Sequence, residues 1–148
     1  MSTAEAYFLQ AEAVVRGLGQ GNAQALYQDG IRHAMALWGV NSSEIETYIA
    51  DEPMAKLTGT AEEQIEKIAV QRWIACYTDG FEAWAIVRDY GYPAELAAGV
   101  SDFDIFGPGD INGKYPQRMR YGNDAPNNNK TNYDATVAAQ GPDEQDTK

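Results

Sequence analysis

Gln71-Arg72-Trp73-Ile74-Ala75, Gly80-Phe81-Glu82-Ala83-Trp84 and Arg88-Asp89-Tyr90-Gly91-Tyr92-Pro93 form one nearly continuous run. Its two halves are rich in large side chains and meet at Asp79-Gly80, a residue pair suited to a tight joint between helices. This run concentrates apolar mass in one helical hairpin, so the chain is expected to be all-α, with Trp73, Phe81 and Trp84 in its core. Asp79 and Glu82 stand at the spacing of a capping box, in its Asp variant, and are expected to close the start of the second helix.

The same punctuation extends toward the N-terminus. Ser2 with Glu5, Ser43 with Glu46 and Thr60 with Glu63 repeat the capping spacing. Helices are expected over about 3–18, 22–38, 43–50, 60–78 and 80–90. The first carries the stripe Tyr7, Ala11, Val14, Leu18, and the second carries Tyr27, Ile31, Ala34, Met35, Trp38. The fourth has two stripes: Ile65, Ile68, Ala69 and Cys76, and separately Val70, Trp73, Ile74 and Tyr77. A helix apolar on two faces is expected to be packed on both. Paired antiparallel helices with short joints point to a TPR-like stack.

Composition changes near residue 90. Gly, Pro, Asn and Asp make up 14 of the first 90 residues but 25 of the last 58, which divides the chain into a helical region, 1–90, and a loop-rich segment, 91–148. The second segment is expected to belong to the same domain and to end in a flexible tail. Within it, residues 114–121 read as a short extended stretch with Arg118 and Arg120 on one face, and 132–140 as a weak helix.

A net charge of −11 disfavours a nucleic-acid backbone as partner and leaves neutral ligands such as sugars open. The single cysteine, Cys76, excludes an internal disulfide and a cysteine-built zinc site. Asp102, Asp104, Asp110 and Asn112 sit in a Gly-rich loop, but an EF-hand starting at Asp102 would need oxygen ligands where Phe106 and Gly113 stand. An irregular calcium site over 102–112 is the weaker reading, and no cofactor or metal is expected. Asp79 and Glu82 could be paired as glycosidase acids, yet the capping spacing consumes both. His33, the lone histidine, has neither a serine elbow nor a placed acid beside it. Asn129-Lys130-Thr131 has the form of a glycosylation acceptor. Catalytic residues are therefore not expected. The tyrosines of the loop-rich segment are the better candidates for exposure, and Tyr92, Tyr115 and Tyr121 are taken as a sugar-facing surface, with Trp38, Trp73, Asp79, Phe81, Glu82 and Trp84 as structural residues.

Several stretches together resemble the SusD/RagB-type (SusD-like) outer-membrane lipoproteins of Bacteroidetes. They are Ala4 to Ala13 (AEAYFLQAEA), Tyr27 to Arg32 (YQDGIR), the hairpin run described above, Tyr115 to Tyr121 (YPQRMRY) and the Asn-rich 128–135. They occur in family order over nearly the whole chain. The resemblance implies a C-terminal part of such a protein, with TPR-like helix pairs and long decorating loops. It implies non-catalytic capture of a glycan or other nutrient at the outer cell surface and its delivery to a SusC-like, TonB-dependent porin. It also implies a lipid anchor on the full-length parent, whose signal and N-terminal region this chain does not contain. A helical-repeat protein-interaction module without sugar affinity is the alternative, and a small glycan-active enzyme is a further rival.

Overall fold

The computed structural model describes residues 2–99 and 113–144. Among these the structure is all helical: α1 (Thr3–Val15), α2 (Ala23–Leu37), α3 (Ser42–Asp51), a 3-10 turn (Pro53–Ala55), α4 (Ala61–Ala75), α5 (Gly80–Tyr90), α6 (Ala94–Ala97), α7 (Asp124–Asn128) and α8 (Lys130–Gln140). The chain forms two compact units, residues 1–93 and 94–148. The acidic loop over 102–112, weighed above for calcium, lies outside the described residues.

In the first unit α1 packs most extensively on α2, α4 lies against α1, and α5 against α4. This is the expected TPR-like succession of antiparallel helix pairs, built by capped helices with glycine-rich joints. Ser2 accepts from Glu5 N, Thr60 and Glu63 form a reciprocal capping box, and Asp79 accepts from Glu82 N. One expected cap is replaced. Helix α3 starts at Asn41, whose side chain accepts from Glu44 N, while Glu46 is drawn instead into a pair with Arg32 at 2.7 Å. An Asn two residues earlier caps as well as a Ser, and the Arg32 guanidinium offers Glu46 a charged partner. Helices α1 and α4 each stop about three residues before their expected ends, in irregular turns at Arg16 and Cys76.

The core is centred on Phe8, Tyr27, Ile31 and Ile68, with Ile45, Ile49 and Leu57 around them. The Phe8 and Tyr27 rings meet at 5.8 Å and tilt by 58°. Tyr27 donates its hydroxyl to the Met54 carbonyl at 2.6 Å, so its polar end is satisfied by the turn that follows α3. Burial pushes that hydroxyl well above its ordinary range. Gln24 secures the same turn with both ends of its amide: Nε2 donates to Ala55 O at 3.0 Å, and Oε1 accepts from Leu57 N at 2.6 Å.

Gly30 is where α2 lets α1 come close. A Cβ added there would stand 2.6 to 2.9 Å from three atoms of the Phe8 ring. Because Phe8 is fully buried, that ring has nowhere to retreat. Overpacking of this kind costs about 1–3 kcal/mol, against a gain of about 1 kcal/mol from Gly to Ala in a helix. Gly30→Ala is therefore expected to be destabilising by up to about 2 kcal/mol in urea titration.

A second buried group joins three helices. Arg72 on α4 lies 3.6 Å from Glu5 and 3.8 Å from Glu12, both on α1, and all three side chains are at most 10% exposed. Arg72 Nη1 donates to Tyr90 OH on α5 at 3.0 Å, and that hydroxyl donates to Glu12 Oε2 at 2.7 Å. Arg16 closes the other side of Glu12 at 2.7 Å. The cluster ties the end of α5 to α1.

The aromatic residues expected in the core divide differently. Trp73 and Trp84 are half-buried, the latter with the Arg88 guanidinium 5.5 Å from its ring centre. Trp38 and Phe81 are corrections: both are exposed. Trp38 falls one residue beyond the last helical turn of α2, where Gly39 at φ +78° turns the chain away. Phe81 lies in the first turn of α5, whose buried residues are Ile86 and Val87. The second stripe of α4 is likewise open at Ile74 and at Tyr77 beyond its end. Residues 114–121 form no strand; the segment is irregular.

Candidate functional site

In the second unit the irregular segment before α7, the helix α8 and the turn after it meet around one carboxylate. Asp143 accepts from the Tyr121 amide at 3.1 Å and from the Tyr133 hydroxyl at 3.2 Å. Arg118 Nη2 reaches the same carboxylate at 3.4 Å, and the Asp143 side chain is 7% exposed. The Arg118 guanidinium lies 5.1 Å from the centre of the Tyr121 ring. Tyr121 is thus held by its backbone, by its ring face and by its hydroxyl, which donates to Gln140 Oε1 at 3.0 Å.

The result is an aromatic corner. The Tyr121 and Tyr133 rings meet edge to face, 6.0 Å apart at 82°. Beside them opens a cleft of about 140 Å3 lined by Tyr121, Ala125, Asn129, Asn132, Tyr133 and Thr136. The last four come from the start and first turns of α8, and their spacing places them on one helical face. Asn132 Nδ2 donates to Asn129 Oδ1 at 2.8 Å, and Thr136 Oγ1 donates to the Asn132 carbonyl at 2.8 Å. Each amide keeps further donors and acceptors for a ligand.

An aromatic wall facing short amide and hydroxyl side chains suits a carbohydrate. The C–H face of a sugar ring packs on the aromatic ring, and its hydroxyls exchange hydrogen bonds with amides. The cleft is smaller than the roughly 300 Å3 from which drug-sized ligands are enclosed. It therefore matches one ring of a chain laid across the surface. Burial and the neighbouring Asp143 raise the Tyr133 hydroxyl, which keeps it a neutral donor.

Of the three tyrosines expected to face a sugar, Tyr92 belongs to the first unit and Tyr115 and Tyr121 to the second. Tyr92 donates to Glu62 Oε1 at 3.1 Å in the first unit, and that bond raises its hydroxyl. Tyr115 is 7% exposed, so it offers no ring face. Tyr121 alone reaches the cleft. Tyr133, Asn129, Asn132, Thr136 and Asp143 were missed as a group. The signal available in the sequence was the helical spacing of 129, 132, 133 and 136.

Elsewhere, Asp79 bonds Glu82 N at 3.2 Å, the geometry of a helix cap. Among the described residues, no group of three or more His, Cys, Asp or Glu could hold a metal ion. Cys76 is half-buried, and burial followed by the charge of Glu5 pushes its thiol up. No helix among the described residues is long and apolar enough to cross a membrane.

No curated protein matches the chain. Among solved structures, a SusD-like protein of Bacteroidetes is 32% identical with a TM-score of 0.79, covering 95% of this chain and 28% of its own. A chitin-binding SusD homologue from Flavobacterium johnsoniae is 30% identical with a TM-score of 0.77, covering 98% and 34%. A SusD homologue from Bacteroides fragilis is 27% identical, also at 0.77, covering 98% and 33%. The chain therefore spans about a third of the length of these relatives. A family profile described as starch-binding and associating with the outer membrane matches residues 1–122. With that match and this helical fold, the chain belongs to the SusD-like family.

Proposed function

We propose that this chain is the C-terminal part of a non-catalytic, surface-exposed outer-membrane lipoprotein that captures a glycan and delivers it to a SusC-like, TonB-dependent porin. The helical region, 1–90, acts as scaffold, and the segment 91–148 carries the sugar-facing surface. The observation that supports this reading is the Tyr121–Tyr133 corner over Asn129, Asn132 and Thr136. The names of the relatives, starch-binding for the family and chitin-binding for the homologue from Flavobacterium johnsoniae, support a neutral polysaccharide. The charge agrees, because the chain carries −11 overall and Arg118 is engaged with Asp143, leaving an anionic sugar little to pair with.

Affinity gels containing soluble starch or glycol chitin, run alongside an assay for released reducing ends, test the proposal. Retention without release is expected. Tyr121→Ala and Tyr133→Ala are each expected to weaken retention about tenfold, equivalent to about 1.4 kcal/mol, with α-helical circular dichroism unchanged. Release of reducing ends would overturn non-catalytic capture. Full retention by both variants would place the sugar elsewhere.

A further inference from the structure

The hydroxyl protons that line the cleft of the second unit are all spent within the protein. Tyr121 donates to Gln140 Oε1 at 3.0 Å, Tyr133 to Asp143 Oδ2 at 3.2 Å, and Thr136 to the Asn132 carbonyl at 2.8 Å. Those three oxygens can therefore only accept from a ligand. The carboxamides remain. Asn132 Nδ2 donates to Asn129 Oδ1 at 2.8 Å, and that bond fixes what the pair offers. It leaves Asn129 Nδ2 as a donor and Asn132 Oδ1 as an acceptor, next to each other. The remaining lining is the Ala125 methyl and the two tyrosine rings, and none of the six lining residues is charged. The Arg118 guanidinium stands over one face of the Tyr121 ring, so a sugar packs on the other.

A donor, an acceptor and a small apolar surface in one cleft are the complement of a secondary amide that bears a methyl group. The carbonyl of such a group only accepts and its N–H only donates, so it answers both asparagines at once. Its methyl then leaves water against Ala125 and the ring edges. A sugar hydroxyl fits less well. It takes up about the 30 Å3 that one water occupies in the liquid, against a cleft of about 140 Å3. Most of the apolar lining would stay wet. A charged substituent would give up water without meeting an opposite charge in the lining.

We infer that this cleft is an acetamido pocket: the sugar ring on Tyr121 is an N-acetylated amino sugar, with its acetamido group held by Asn129 and Asn132 over Ala125. The inference rests on the capture reading of the same corner and narrows it from neutral glycans to those containing N-acetylhexosamine.

Chitotetraose and cellotetraose test it, because they share a β-1,4-linked backbone and differ at C2, acetamido in one and hydroxyl in the other. Maltotetraose serves as the starch-type comparison. In calorimetric titration of the 148-residue chain, chitotetraose is expected to bind at least about tenfold tighter than the other two. In nitrogen-15 spectra it is expected to shift the side-chain amide signals of Asn129 and Asn132, which cellotetraose leaves in place. Ala125→Leu fills the cleft and is expected to bring chitotetraose down to the level of cellotetraose, with α-helical circular dichroism retained. Cellotetraose or maltotetraose binding as tightly as chitotetraose would overturn the acetamido assignment while glycan capture stands. Unmoved Asn129 and Asn132 signals in the chitotetraose complex would overturn it too, by placing the acetamido group elsewhere. Binding of none of the three sugars also overturns it, and the starch and glycol chitin gels then report separately whether capture survives.

Discussion

Arg72→Met is expected to destabilise the first unit by about 3–5 kcal/mol, a large part of the 5–15 kcal/mol that holds a typical domain together. The guanidinium lies within 4 Å of Glu5 and Glu12, and all three side chains are nearly excluded from water. Methionine replaces much of its volume but none of its charge. Glu12 then keeps Arg16 and the Tyr90 hydroxyl, while Glu5 loses the Arg72 charge beside it. Tyr90 also loses the donor that holds it in place, so the end of α5 is expected to loosen from α1. Urea unfolding with hydrogen exchange over residues 80–90 would register both effects. Adding Glu5→Gln and Glu12→Gln to Arg72→Met is expected to recover a substantial part of the loss, because the buried charges go together. If the triple variant is no more stable than Arg72→Met, the cost lies in packing and the electrostatic account fails.

Phe8→Ala should cost a similar amount, about 3–5 kcal/mol, by leaving a cavity at the contact of α1 and α2. The ring is fully buried, touches Tyr27 and presses on Gly30. A coupled result discriminates this packing from a general weakening of α1. Gly30→Ala destabilises the parent protein because its methyl meets the Phe8 ring. In the Phe8→Ala background the ring is gone, so Gly30→Ala should become neutral or stabilising by up to about 1 kcal/mol through helix propensity. A double-mutant cycle measures that change of sign. Additive costs would mean that Gly30 is demanded by something other than Phe8.

Much of the fold was legible because it is local. Capping side chains act on amides three residues away, and the starts of α1, α4 and α5 follow Ser2, Thr60 and Asp79. Helix α3 shows the limit of that reading. Asn41 and Ser43 are both competent caps, and the choice between them depends on Arg32, fourteen residues from Glu46, pulling that glutamate away. The exposed aromatics show a second limit. Helical spacing identifies Trp38 and Phe81 as apolar positions, but whether a position at a helix end faces the core depends on where the helix stops and what packs beside it.

The candidate site was the least legible part. Asp143 stands ten residues from Tyr133 and twenty-two from the Tyr121 amide, yet one carboxylate orients both tyrosines. Tyr92 and Tyr115 share a residue type and a loop-rich setting with Tyr121, and one is bonded to Glu62 while the other is buried. Composition cannot separate three such rings, since exposure is a property of their surroundings.

Residue order alone determined the helices of the first unit, to within about three residues at their ends, and a helix near α8, but not α6 or α7, because propensity, capping and apolar spacing act over a few residues at a time. It also carried the family motifs, in order, from Ala4 to the Asn-rich stretch. Only the tertiary structure decided which aromatic side chains are core, that Glu5, Glu12, Arg72 and Tyr90 close on one another, and that Tyr121 and Tyr133 form a corner above the amides of α8. Burial and charge pairing are sums over neighbours contributed by distant segments, and those neighbours exist only once the helices have packed.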